Sequence, residues 1–202
     1  MSDGFEALIN RSNVFFTHLR DNNTRDVFEA HKATYTTEIK KPAELLADLF
    51  AEDLAKATGH AHKPKVFRIH RDVRFSKDKT PYKTHLHMMW SRPGLAPMFF
   101  FGASPDYVIL GMGVMGLEKD ALTTYRAMID RRGDDLADAL EASGAHLSDW
   151  GPDPLKRVPK PFDPDHPHAE LLKRKSFAIR SELPAGWQAT GLLKTLNQMI
   201  PV

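Results

Sequence analysis

A chain of 202 residues with a formal net charge of +2 and no cysteine sets the first limits on fold and function. The lack of cysteine excludes disulfides, thiolate metal sites and cysteine nucleophiles, and it is compatible with a reducing cytoplasm. Nearly balanced charge disfavours a chain-wide polyanion coat, as on a histone-like protein. Because neither a signal-peptide pattern nor a membrane-length apolar run is present, we expect a soluble cytoplasmic protein without a membrane partner.

The first 58 residues predict helices, because their apolar residues recur at helical spacing. Ser2 or Asp3 is a candidate cap for the first helix, and residues 21–23 form a polar break after it. Pro42 is typical of the first turn of a later helix, and Gly59 is a natural stop for it.

The hydrophobic pattern then changes to alternation, which predicts strands. The predicted strands cover residues 66–71, 84–90, 98–101 and 107–110. Because several of the connections are short, we expect an antiparallel meander.

Residues 111–116 read Gly-Met-Gly-Val-Met-Gly, which matches the glycine spacing of a dinucleotide-binding fingerprint. That fingerprint requires a parallel βαβ unit, whereas the preceding strand here belongs to a predicted meander. We therefore favour glycines that let a strand bend or approach another backbone.

The remainder predicts helices over residues 118–131 and 134–140, and then a proline-rich excursion over 150–167. A short helix to residue 173, a strand over 176–181 and a closing helix over 186–199 follow. The fold class is therefore α+β, with a largely antiparallel sheet packed against N-terminal and C-terminal helices. We expect a single domain over residues 1–202.

Residues 66–85 concentrate positive charge that only Asp72 and Asp78 offset. A solvated loop is one interpretation, and an anion-binding site is the one we favour. Guanidinium groups bind phosphate or carboxylate through paired hydrogen bonds, lysine adds point charge and imidazole can donate or move protons. The candidate anion-binding residues are Arg68, His70, Arg71, Arg74, Lys77, Lys79, Lys83 and His85.

Strand parity provides a hypothesis about which of these side chains meet. If Phe67 and Ile69 face the helices, Arg68 and His70 point the other way, and a suitable register adds His85 and His87 to that face. Two histidines on one strand face also suggest a metal site, but the surrounding cations would increase the free-energy cost of binding a divalent cation. We expect neither metal nor another cofactor.

The two acidic residues of the stretch have structural interpretations. We expect Asp72 to accept a salt bridge or a turn hydrogen bond, and Asp78 to cap the loop; a catalytic carboxylate at Asp72 is the minority alternative.

The run from Arg71 to His85, Arg-Asp-Val-Arg-Phe-Ser-Lys-Asp-Lys-Thr-Pro-Tyr-Lys-Thr-His, resembles the signature of the family DUF2461. Asn22-Asn23 near the start, Val158-Pro-Lys-Pro-Phe-Asp-Pro-Asp-His-Pro and Leu171-Leu-Lys-Arg-Lys agree with it. Pro161 departs from the family pattern, where we expect glycine. The resemblance covers nearly the whole chain and implies a single full-length domain, but it implies no activity.

Three functions follow from the sequence. The first is an anion-binding domain that recognises a phosphorylated small molecule or nucleic acid. The second is a hydrolase or transferase that acts on such a ligand, although no nucleophile–base pair identifies catalytic residues. The third is an interaction module whose basic loop docks an acidic protein surface.

Overall fold

A computed structural model describes residues 4–92 and 94–200 of the chain. Its helices are α1 (Glu6–Asp21), α2 (Arg25–Thr34), α3 (Lys41–Thr58), α4 (Lys119–Ser143), α5 (Ala169–Lys173), α6 (Trp187–Thr190) and α7 (Leu192–Gln198). A π-helical segment, Tyr35–Lys40, joins α2 to α3. The strands are β1 (Lys63–Val66), β2 (Leu86–Arg92), β3 (Leu95–Ser104), β4 (Tyr107–Val114), β5 (His146–Leu147) and β6 (Phe177–Glu182).

The strands form a six-stranded sheet in the order β1-β2-β3-β4-β6-β5. The β1–β2, β2–β3 and β5–β6 pairs are antiparallel. The α+β class and the antiparallel meander are therefore confirmed, as is the mainly helical character of residues 4–58. None of the described helices is long and apolar enough to cross a bilayer.

Two compact units divide the chain, one made of residues 1–110 and 182–202 and the other of residues 111–181. In the first unit the indole Nε1 of Trp90 donates to the Ala47 carbonyl oxygen over 2.8 Å. The Phe50 ring meets the same indole edge-on, with 4.8 Å between the centroids. A large aromatic on β2 is thus fixed against α3 by both packing and its one polar atom.

The second unit has its own buried cluster of Tyr125, Ile129, Leu171 and Leu172. Val158 and Phe162 of the proline-rich excursion pack against this cluster. These two apolar side chains hold the excursion against the core of the second unit.

Several predicted boundaries were wrong. The strand predicted over residues 66–71 is β1, which ends at Val66, and its early start at Lys63 is compatible with Pro64 because β1 is an edge strand. Helix α4 is kinked at Arg132, whose φ of −138° and ψ of 28° are non-helical, so the predicted break between residues 131 and 134 is confirmed. The closing helix, by contrast, was predicted as one helix and is split at Gly191, whose φ is +96°. The proposed caps Ser2 and Asp3 lie outside the described residues.

Residues 111–114 belong to β4, and residues 115 and 116 follow it. The glycine-rich segment therefore does not open a helix. Gly113 has a φ of +146°, and a Cβ there would overlap the backbone of Phe177 and Ala178 on β6 and lie 2.9 Å from the Ala178 side chain. This close approach of two backbones is the interpretation that the sequence favoured for these glycines.

Candidate functional site

The charged stretch closes on itself to form a narrow loop. Residues 69–71 run antiparallel to residues 81–83, with Lys83 N donating to Ile69 O over 2.8 Å and Arg71 N donating to Pro81 O over 2.9 Å. His70 and Tyr82 form the bridge between them. We call residues 72–80 the basic loop, and its two ends are held together by this pairing.

Three contacts within the basic loop and at its base order it further. Arg74 donates through Nε and Nη2 to the Asp72 carboxylate over 2.9 and 2.7 Å. The Asp78 carboxylate accepts from the Thr80 backbone N–H over 2.9 Å and from the Arg71 guanidinium over 2.5 Å. These contacts agree with the structural roles predicted for Asp72 and Asp78.

Both carboxylates keep their charge because of these donors. The hydrogen bonds from Thr80 and Arg71 lower the pKa of Asp78 to about 2, and those from Arg74 lower the pKa of Asp72. Each acidic residue therefore neutralises one arginine of the stretch at physiological pH.

A cleft of about 380 Å³ lies beside the base of the loop. Its lining includes Arg71, Lys83 and His85, three of the predicted anion-binding residues. It also includes residues that the sequence interpretation did not select for the site: Arg20, Asn23, Thr80, Tyr82 and Thr84. The lining has three cations, of which Arg20 pairs with Asp106 and Arg71 with Asp78, so Lys83 supplies the remaining positive charge.

Lys83 is partly buried and lies near other cations. Its ammonium lies 5.5 Å from the centre of the Phe67 ring, which Lys65 also approaches at 5.0 Å. Partial burial, followed by the charges of Arg68 and Lys65, lowers the pKa of Lys83. An anion beside this ammonium would stabilise its charged form.

The position of Phe67 corrects the parity hypothesis. Val66 lies opposite Met88, and Phe67 N donates to His87 O over 2.9 Å, so Phe67 continues the same register. Residues opposite each other in antiparallel strands share a face, so Phe67 stands with His87, away from the buried Met88. The register therefore differs by one residue from the one that the parity hypothesis required.

His85 and His87 do share a face, as predicted. Their rings stack with 3.8 Å between centroids, and His87 Nε2 lies 2.8 Å from the Tyr107 hydroxyl. Burial, followed by nearby positive charge, lowers the pKa of His85 to about 4 and that of His87 to about 3. Both imidazoles are therefore neutral at physiological pH.

The other predicted residues do not line the cleft. His70 packs its ring against Phe28 and Tyr82, with centroids 5.8 and 5.2 Å away. Arg74 is paired with Asp72, while Lys79 donates to the Val73 carbonyl oxygen over 2.9 Å. Arg68 and Lys77 are exposed.

Arg20 and Asn23 come from the end of α1 and the turn after it. Arg20 forms two hydrogen bonds to Asp106, of 3.2 and 2.7 Å. Asn23 was predicted only as a turn residue, and no local pattern pairs it with residue 82. The signal that could have found Asn23 was its membership of the Asn22-Asn23 pair that agrees with the family resemblance.

Within the described ranges, no group of three or more histidine, aspartate and glutamate side chains lies close enough to hold a metal ion. The geometry defines the class of site: it is an open, positively charged cleft on an α+β scaffold, with a neutral imidazole at its edge. That site can hold an anion through charge-assisted hydrogen bonds.

A family model described as a conserved hypothetical protein, DUF2461, matches residues 12–201. The chain belongs to this family, and the match confirms the resemblance that the run from Arg71 to His85 indicates. No curated protein and no solved structure matches the chain.

Proposed function

We propose that the protein is an anion-binding domain that holds the phosphate group of a phosphorylated small molecule or nucleic acid in the cleft beside the basic loop. One observation supports this above the others. Arg20 comes from the end of α1, and Arg71 and Lys83 stand on the two sides of the basic loop, yet all three line one cleft of about 380 Å³. Converging cations of this kind provide a binding site for a compact anion.

Arg71 is the best-placed donor for such a ligand. Its described side-chain hydrogen bonds all use Nη1, which contacts Asp78 and Thr80. A guanidinium carries five N–H donors, so Nε and Nη2 remain for two oxygens of a phosphate. Because its partners fix one edge of the guanidinium, little side-chain entropy is lost on binding.

Lys83 supplies charge without a carboxylate partner among the described salt bridges. Burial, followed by the charges of Arg68 and Lys65, lowers the pKa of Lys83, and a bound anion would offset the repulsion between these cations. His85 adds one N–H donor as a neutral imidazole.

A second candidate is hydrolysis or transfer of the bound phosphate, which the neutral imidazole of His85 in the cleft favours. Because the His85 imidazole is neutral, it can accept a proton from an attacking water or hydroxyl group, and its pKa of about 4 makes it a weak base. Release of inorganic phosphate from a panel of phosphomonoesters, lost in His85→Asn, would distinguish this enzyme from a binding domain.

Calorimetric titration tests the binding proposal with inorganic phosphate, sugar phosphates, mononucleotides and short oligonucleotides. Arg71→Met or Lys83→Met should weaken binding roughly 10- to 150-fold, the equivalent of one lost charge-assisted hydrogen bond at about 1.5–3 kcal/mol. Lys41→Met is the matched control, because Lys41 is exposed on α3. Binding that neither cleft variant weakens would overturn the proposal.

A further inference from the structure

Phe75 stands at the tip of the basic loop with 94% of its surface exposed. The other large hydrophobic residues that are exposed in the described part of the chain are Val14, Leu45 and Met128, all on helices. Only Phe75 among these four is aromatic. Because it combines an exposed aromatic ring with neighbouring cations, the tip of the basic loop is the candidate contact for a ligand.

The loop beneath Phe75 is braced from both sides. Asp72 and Arg74 pair on one side, and Lys79 reaches across to the Val73 carbonyl oxygen on the other. The ring is thus presented on an ordered support, and ordering that loop costs little at the moment of binding.

Cationic side chains surround the ring. The Arg74 guanidinium lies 5.8 Å from the ring centre, and Lys77 and Lys79 follow in the same loop. An exposed aromatic face among cations is the arrangement on which the bases of single-stranded nucleic acids stack, while the cations meet the phosphates.

A lipid surface fits the loop less well. Interfacial anchors combine a large apolar face with a strongly basic one, whereas this loop exposes one large apolar side chain and retains the carboxylates of Asp72 and Asp78. Its other large apolar residue, Val73, is half-buried.

We infer that the ligand of this protein is single-stranded nucleic acid, with one base stacked on Phe75 and a nearby phosphate in the cleft. This inference rests on the proposed function, because the cleft supplies the phosphate contact. Phe75 is four residues from Arg71, so their Cα atoms lie within about 14 Å of each other. A strand of a few nucleotides can therefore engage both.

The test uses fluorescence anisotropy of a labelled oligothymidylate and an oligouridylate of about twelve nucleotides, within the usual site sizes for single strands. Phe75→Leu keeps an apolar side chain but removes the aromatic face, and it should weaken binding roughly five- to hundredfold. Phe75→Trp should retain affinity and show quenched tryptophan fluorescence on binding. The parent protein, with Trp90, Trp150 and Trp187, supplies the baseline.

Inorganic phosphate binding, measured in the same variants, separates the base-stacking inference from the proposed phosphate site. Phosphate binding equal to the parent in Phe75→Leu, with weakened oligonucleotide binding, supports the inference. Unchanged oligonucleotide binding in Phe75→Leu would overturn the stacking while leaving the phosphate site intact.

Two further outcomes would also overturn the inference. One is preferential binding of duplex over single strands, since paired bases cannot stack on Phe75. The other is sedimentation with phosphatidylserine-containing vesicles that Phe75→Leu preserves and that oligonucleotide does not compete for, which would show a lipid surface as the ligand. Failure of the proposed function would appear separately, as phosphate binding that is absent from the parent protein.

Discussion

The side-chain amide of Asn23 satisfies both backbone polar groups of Tyr82. Its Nδ2 donates to Tyr82 O over 2.9 Å, and its Oδ1 accepts from Tyr82 N over 3.1 Å. An amide is the side-chain group that can give and accept a hydrogen bond with the geometry of a neighbouring strand. Asn23 therefore ties the turn after α1 to the base of the basic loop and fixes one wall of the cleft.

Replacing Asn23 by Asp should loosen this wall. The carboxylate still accepts from Tyr82 N, but it repels Tyr82 O, and the loss should be about 1–3 kcal/mol of unfolding free energy. Denaturant unfolding measures it, and faster amide exchange at Tyr82 and Lys83 should accompany it. Asn22→Asp, at the exposed neighbour, is the control; equal effects of the two variants would contradict the role given to Asn23.

Asp78→Asn should strengthen anion binding. Asp78 is the single carboxylate of the cleft lining and, with a pKa of about 2, it carries its charge throughout the physiological pH range. The amide can still accept from Thr80 N, so the loop keeps that bond while the competing charge is lost. We expect roughly two- to fivefold tighter phosphate binding, the scale of one exposed ion pair. Weaker binding by a variant that melts like the parent would show that Asp78 acts by holding Arg71 in place.

Gly113→Ala should be severely destabilising, because a Cβ there overlaps the β6 backbone at Phe177 and Ala178 and φ is +146°. Overpacking of this kind costs about 1–3 kcal/mol and occasionally more. Gly116→Ala is the matched control, since a Cβ at Gly116 meets no atom within 4 Å. Thermal melting compares the two, and similar melting temperatures would contradict the close strand approach.

The histidine pair predicts a loss of stability in mild acid. The folded pKa values of about 4 for His85 and about 3 for His87 lie below the ordinary 6.5. Below pH 6.5 these two imidazoles therefore bind protons in the unfolded chain but not in the folded chain. The free energy of unfolding consequently falls as pH falls. The slope is at most about 1.4 kcal/mol per pH unit for each histidine, and less for His85, which borders the open cleft.

His87→Gln isolates this effect. Between pH 7 and pH 4.5, the variant should lose less unfolding free energy than the parent, because it has one fewer histidine that is protonated only in the unfolded chain. His60→Gln, at an exposed histidine, should behave as the parent does. An identical pH dependence in all three proteins would contradict the burial-driven shift.

The sequence predicted those parts of the fold that local periodicity encodes. Leu86, Met88 and Trp90 are buried along β2, and His85 with His87 takes the other face, as alternation indicated. The register between β1 and β2 could not be predicted, because it depends on pairing across a 19-residue gap and a one-residue change moves Phe67 to the other face.

The candidate site was predicted only in part, for a related reason. Composition identified Arg71, Lys83 and His85, but it could not separate them from Arg74, whose charge Asp72 neutralises two residues away. Arg20 was missed because its place in the cleft depends on the packing of α1 against the sheet, which no local pattern records. The single-domain expectation for residues 1–202 stays a prediction.

An NMR titration of isotope-labelled protein with inorganic phosphate tests the central claim most directly. We predict saturable shift changes concentrated at the amides of Arg71, Thr80, Lys83, Thr84 and His85, and their loss in Lys83→Met. Saturable changes confined to residues remote from the cleft, or no change at millimolar phosphate, would contradict the claim that this cleft binds phosphate.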